Sequence, residues 1–145
     1  MKLTSSVFAN NGAIPSEFTC DGDDISPHLS ISDVPKNAKS LALIMDDPDA
    51  PVGIFIHWVV WNIPPDTKEI SKGEEPRGVQ GMTSFRRQGY GGPCPPSGTH
   101  RYFFKLYALD AELNLPEGST KHDLENAMQS HIIAQAQLMG TYKRS

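Results

Sequence analysis

Four stretches of the chain carry apolar side chains in patterns that fit strands. Leu29-Ser30-Ile31-Ser32 alternates cleanly, the mark of a half-buried strand. Ser40-Leu41-Ala42-Leu43-Ile44-Met45 is a short, nearly continuous apolar run that stops at Asp46-Asp47-Pro48. Its length and abrupt polar end predict a central strand buried on both faces. His57-Trp58-Val59-Val60-Trp61-Asn62-Ile63 is β-branched and aromatic, and Pro64-Pro65 ends it because proline cannot donate to a ladder. In Arg101–Leu109 the even positions Tyr102, Phe104, Leu106 and Ala108 form the more apolar face, with Lys105 on the other.

Only the C-terminal part reads as helical for more than two turns. Ser119 or Thr120 can cap it, and Asp123 stands three residues after Thr120 in a capping-box position. Leu124, Ala127, Met128, His131, Gln135 and Leu138 follow at helical spacing, and Gly140 fits the residue just past the helix end. With strands first and the helix last, the order predicts a mainly β fold, an antiparallel sandwich with a C-terminal helix packed at one end. The 12 glycines and 12 prolines among 145 residues also argue for strands and loops over a helical bundle. No repeat, linker or compositional shift divides the chain, so residues 1–145 read as one domain.

The formal charge is −4 and no basic run occurs, which points away from nucleic acid as a partner. The longest apolar stretches fall far short of a membrane span, so no membrane insertion is expected. Residues 1–11 have no apolar core of a secretory signal, and the cytoplasm is the expected compartment. Cys20 and Cys94 have no metal-type spacing and are expected as reduced thiols in that compartment, a single long-loop disulfide being the alternative.

Two segments place polar groups at strand ends beside rigid turns. Asp46-Asp47-Pro48-Asp49-Ala50-Pro51 cannot relax into a helix, because proline fixes φ at two positions; taken alone it reads as an acidic surface turn or as a site. Gly89-Tyr90-Gly91-Gly92-Pro93-Cys94-Pro95-Pro96-Ser97-Gly98-Thr99-His100 is a stiff loop whose glycines leave backbone N–H groups free to cradle an anion. His57 and His100 each open a strand, and by themselves fit a structural hydrogen bond as well as a ligand contact. His28 and His122 are expected at the surface, and His131 on the apolar helix face. No metal-ligand spacing, nucleophile elbow, phosphate loop or cofactor motif occurs.

Taken in order, Asp47-Pro48-Asp49-Ala50-Pro51, His57-Trp58-Val59-Val60-Trp61-Asn62 and Gly92-Pro93…Gly98-Thr99-His100-Arg101-Tyr102 resemble the phosphatidylethanolamine-binding protein family. The resemblance is closest to its bacterial and archaeal branch, the Raf kinase inhibitor protein-like proteins. It extends to Cys20-Asp21-Gly22 and Ile25-Ser26-Pro27 near the start, and to His131-Ile132 and Gly140-Thr141-Tyr142 at the end. It implies a Greek-key-like β-sandwich with a small pocket at the strand ends for anions such as phosphate or the phosphoethanolamine head group. By motif, Asp47, Asp49, Pro51, His57, Gly92, Pro93, His100 and Tyr102 are the implied ligand-binding residues, with Cys94 close by. It also implies a cis Ala50–Pro51 bond, a homodimer, and inhibition of a kinase or serine protease. Two features depart from the eukaryotic members: only Val52–Ile56 separates Pro51 from His57, and no long helical extension follows Thr141.

The residue chemistry fits anion binding. Gly92 would let backbone approach an oxyanion, and the two histidines can donate N–H bonds. Asp47 beside an anion is repulsive unless a proton lies between them, which makes it a selector for a proton-bearing ligand. The competing readings are a hydrolase of phosphate esters or glycosides built on Asp47, His57 and His100, and a purely structural protein.

Overall fold

The computed structural model describes residues 1–144. Its core is one strand buried on both sides. β4 (Ser40–Asp47) is inaccessible along its whole length, which is why its sequence is a run and not an alternation. Leu41, Leu43 and Met45 face one cluster with Trp58, Val60, Tyr102 and Phe104, while Ala42 and Ile44 face a second with Val59, Trp61, Leu124 and Met128.

β4 lies between β5 (Phe55–Ile63) and β8 (His100–Leu109) in a six-stranded sheet. The sheet continues through β9 (Ile132–Tyr142) to β2 (Gly12–Ala13) on one side, and to β7 (Val79–Gln80) on the other. All its pairings are antiparallel except that of β2 with β9. A second sheet of β1 (Lys2–Thr4), β3 (Leu29–Ser32) and β6 (Glu69–Ile70) covers one face, contributing Leu3, Leu29, Ile31 and Ile70 to the first cluster. The other face is covered by α1 (Lys121–Met128) through Leu124 and Met128. The fold is therefore mainly β, two sheets with one α-helix and a single 3-10 turn at Ser16–Phe18 among the described residues. No helix among them is long and apolar enough to cross a membrane.

Thr120 and Asp123 form the expected capping box, each side chain accepting from the other's backbone N–H at 3.2 and 3.0 Å. The helix, however, stops at Met128 and is not the last element. Residues 132–142 form the long strand β9, paired with β8 from Leu109↔Ile132 to His100↔Tyr142. The same residues carry a period of two: Leu138 and Gly140 are buried while Gln135 and Gln137 are exposed. Ladder bonds to β8 and the inward face decide between the two periods. Gly140 is not a helix-end residue; a Cβ there would come within 2.5 Å of Ile14 and 2.8 Å of Phe8. His131 sits in the turn between α1 and β9, 2.8 Å from Asp110, and not on a helix face. His28 is half-buried, joined to Ser6 and Glu69.

Candidate functional site

Three adjacent strands bring the site together at one end of the sheet. Asp47 ends β4, His57 lies near the start of β5, and His100 and Tyr102 open β8. They line a pocket of about 200 Å³ with Ala50, Pro51 and Val52 from the β4–β5 loop, Phe55, Phe85, and Cys94, Pro95 and Pro96. Asp46 and Asp47 are successive residues of a strand and point to opposite faces. Asp46 is buried on the helix side, 3.0 Å from Lys105 and 3.6 Å from Lys121, which leaves Asp47 as the pocket's carboxylate.

His57 reaches the pocket through an irregularity of the ladder. Met45 pairs with Trp58 but Asp46 pairs with Ile56, so His57 is the extra residue of a β-bulge. Regular alternation would send His57 to the helix side with Val59 and Trp61. The bulge reverses the order: Ile56 packs with the helix-side cluster, and His57 lies against Tyr102, ring centroids 5.2 Å apart. Phe55 and Phe85 complete an aromatic collar at 5.1 and 5.3 Å from the His57 ring.

The two imidazoles are held in the same tautomer by different partners. His57 Nδ1 donates to the Gly91 carbonyl at 2.7 Å, and His100 Nδ1 donates to Asp47 Oδ2 at 2.6 Å. Both acceptors lack a proton to give, so each neutral ring keeps its hydrogen on Nδ1 and leaves Nε2 bare. Neither Nε2 has a protein hydrogen bond among the described residues. Burial lowers the His57 pKa below its ordinary value, against the smaller opposing pull of the Gly91 carbonyl and the Asp47 charge. The Tyr102 hydroxyl is buried without a hydrogen-bond partner, the Cys94 N–H approaching it outside hydrogen-bonding geometry. Burial, with Asp47 and Asp49 nearby, raises its pKa and keeps it a neutral donor. The pocket thus offers two nitrogen acceptors, one hydroxyl and an aromatic wall.

Of the eight residues expected in the site, Asp47, Pro51, His57, His100 and Tyr102 line the pocket and Asp49, Gly92 and Pro93 do not. Asp49 takes the Arg101 side chain in a two-pronged contact at 2.9 and 2.8 Å and also accepts the Arg101 N–H at 2.9 Å. Those guanidinium bonds, followed by the backbone bond and the Arg101 charge, outweigh burial and hold its pKa at about 2. Asp49 therefore clamps the β4–β5 loop onto β8. The Gly92 N–H, expected to face an oxyanion, is donated at 2.8 Å to Asp24. The glycine is required by packing: a Cβ would lie 2.3 Å from the Phe18 carbonyl oxygen. Pro93 is buried and its carbonyl accepts the Cys20 N–H at 3.1 Å.

Two further expectations are corrected. Among the described residues every peptide bond is trans, Ala50–Pro51 included. The loop reverses instead through Asp47 Oδ1, which accepts the Asp49 N–H at 2.8 Å, and a turn bond from Gly53 N–H to the Ala50 carbonyl at 3.1 Å. Cys20 and Cys94 are not free thiols but form a disulfide, with Cα atoms 5.4 Å apart. The fold brings the loop after Phe18 against the pocket loop, a proximity across 74 residues that local sequence does not display. Cys94 does line the pocket, as expected. Phe55 and Phe85 were not anticipated. Phe55 stands two residues from His57 in an aromatic-rich strand and could have been suspected; Phe85, alone in the loop at 83–87, gives no local signal.

The family model described as phosphatidylethanolamine-binding protein matches residues 4–143. A UPF0098 protein of Methanothermobacter thermautotrophicus is 51% identical over 150 residues, covering 99% of both chains. Another, from Aquifex aeolicus, is 52% identical over 152 residues, covering 99% of this chain and 89% of the relative. Among solved structures, a phosphatidylethanolamine-binding protein homologue from Chlamydia trachomatis superposes with a TM-score of 0.97 at 47% identity, covering 99% of this chain and 97% of that one. E. coli YbcL, described as a member of the mammalian family of these proteins, superposes at 0.91 with 30% identity, covering 99% and 98%. With the matching fold, the order of its motifs and the family match over nearly its whole length, the chain belongs to the phosphatidylethanolamine-binding protein family.

Proposed function

We propose that the chain binds a small, proton-carrying anion of the phosphate or phosphoethanolamine type in the pocket at the ends of β4, β5 and β8. The observation that carries this reading is the convergence of two buried imidazoles, each fixed through Nδ1, on one cavity of about 200 Å³. A fully ionised anion would meet two bare Nε2 atoms and the Asp47 carboxylate. An anion that brings a proton, or binds as the rings take one up, turns those contacts into hydrogen bonds. Asp47 therefore favours ligands that arrive with protons.

In this reading the bound form acts on a partner enzyme such as a kinase or serine protease, and the protein works as a homodimer. The tryptophans add nothing to such an interface, since Trp58 and Trp61 are fully buried. The exposed Val52 and Ile54, 89% and 57% accessible, are the better candidates for contact with another chain. Titration calorimetry with inorganic phosphate tests the pocket. His57→Ala and His100→Ala are each expected to weaken binding by about 1.5–3 kcal/mol, the cost of a lost charge-assisted bond. Unchanged affinity in both variants would place the ligand elsewhere. Turnover of a phosphomonoester that is lost in Asp47→Asn would favour the hydrolase reading.

A further inference from the structure

We propose that Cys20–Cys94 is a thiol–disulfide exchange site through which a dithiol reductant loosens the pocket; this rests on the anion-binding reading for its functional consequence. Cys94 lies in the pocket wall, and its partner belongs to a different segment, the loop after Phe18. Both half-cystines are exposed, which gives an attacking thiolate access to the bond. Exposed disulfides are the labile ones, in contrast to those sealed in a core. In a reducing compartment this bond would turn over.

The restraints on the pocket loop are unevenly distributed. Its first half is tied to the body of the protein by several bonds. Tyr90 Oη donates to the Phe18 carbonyl at 2.7 Å, Gly91 N–H to the His57 carbonyl at 3.0 Å and Gly92 N–H to Asp24 at 2.8 Å. Beyond Pro93 the loop forms no strand until His100, and Pro96, Ser97, Gly98 and Thr99 are exposed. Across that second half, which supplies Pro95 and Pro96 to the pocket, the disulfide is the covalent restraint. Opening it frees the wall facing His100 and Tyr102 while leaving the sheet and its clusters intact.

The chemistry balances with a dithiol as co-reactant. A reductant thiolate attacks one protein sulfur, forming a mixed disulfide and expelling the other as a thiolate. The reductant's second thiol then displaces the first sulfur, and two electrons have passed to the protein. The products are two protein thiols and an oxidised cyclic reductant.

The test uses the whole chain with dithiothreitol as reductant and inorganic phosphate as ligand, and Cys20→Ser as a permanently open form in which no lining residue is replaced. Reduction under native conditions is expected to expose two alkylatable thiols with the β-sheet circular dichroism unchanged. Amide exchange at Cys20, whose N–H is held by the Pro93 carbonyl at 3.1 Å, should quicken roughly tenfold or more while β4 stays protected. Phosphate Kd should rise at least about tenfold in reduced protein and in Cys20→Ser, and return on reoxidation of the native chain only. A bond that opens only as the chain unfolds, or opens without a change in exchange at Cys20, overturns the proposal. So does a phosphate Kd identical in the oxidised and reduced forms. If the oxidised protein binds no phosphate at all, the anion reading fails, and the exchange measurement still decides whether the disulfide governs the pocket wall.

Discussion

Replacing Asp47 with asparagine changes which atoms in the pocket carry protons without changing its shape. As a carboxylate, Asp47 can only accept, so its 2.6 Å contact keeps the hydrogen on His100 Nδ1 and leaves Nε2 bare in the neutral ring. An asparagine at 47 can still accept the Asp49 N–H through Oδ1, the bond now 2.8 Å long, while its Nδ2 donates to His100 Nδ1. The ring must then carry its hydrogen on Nε2, ready to donate to an anion with no proton taken from solution. In the native protein each proton taken up above the pKa of its source costs about tenfold in affinity per pH unit, or about 1.36 kcal/mol. Phosphate Kd is thus expected to rise about tenfold between about pH 7 and about pH 8 for each proton required, and Asp47→Asn to remove one of them. The variant should equal or exceed the native protein at about pH 8, with a stability loss no larger than the roughly 1.5–3 kcal/mol of one charge-assisted hydrogen bond. Calorimetry in two buffers of different ionisation enthalpy counts the protons directly. A native protein whose affinity is flat over this range, or a variant with the native proton count, would refute the reasoning.

Gly92→Ala should destabilise the fold by roughly 1–3 kcal/mol in urea unfolding, toward the upper end because the new Cβ meets backbone, and a change below about 0.5 kcal/mol would contradict the packing role. Tyr102→Phe removes a buried hydroxyl that has no partner, so stability should stay level or rise by about 1 kcal/mol while phosphate binding weakens; a clear loss of stability would mean the hydroxyl is already satisfied. His57 has its pKa lowered by burial, so the unfolded chain binds its proton more readily; stability should be level above about pH 6.5 and fall below it. Asp49, held at about 2 by Arg101, adds stability that is fully present above its ordinary range near 4 and is lost as pH falls through about 2. Asp49→Asn should remove that second acid loss, and stability that increases on acidification would reverse both signs.

Much of the sheet is readable in the sequence because burial writes itself into composition. β4 is buried on both faces and reads as an unbroken apolar run, and β8 is buried on alternate residues and reads as alternation. The candidate site is readable where strands end against prolines and glycines, which is how Asp47, His57 and His100 stand out, while Tyr102 enters through the family resemblance. β9 is obscured because alanine, leucine, methionine and glutamine suit a helix, and its ladders with β8 and β2 and its buried face override that preference. Asp49 and Gly92 sit in the right motif, but their partners, Arg101 and Asp24, are 52 and 68 residues away, and only the fold shows them engaged. The bulge that turns His57 into the pocket and the Cys20–Cys94 bond are likewise products of register and topology.

The central claim is that an anion is held by the Nε2 atoms of His57 and His100. Nitrogen-15 NMR of the imidazole side chains during a phosphate titration tests it most directly, because each ring reports its own tautomer and protonation. The free protein should show both rings with hydrogen on Nδ1 and a bare Nε2, as the Gly91 carbonyl and Asp47 dictate. Phosphate should move the Nε2 resonances of those two rings toward the hydrogen-bonded, protonated form and leave His28, His122 and His131 in place. Phosphate that leaves His57 and His100 unmoved, or shifts all five histidines together, would contradict the account.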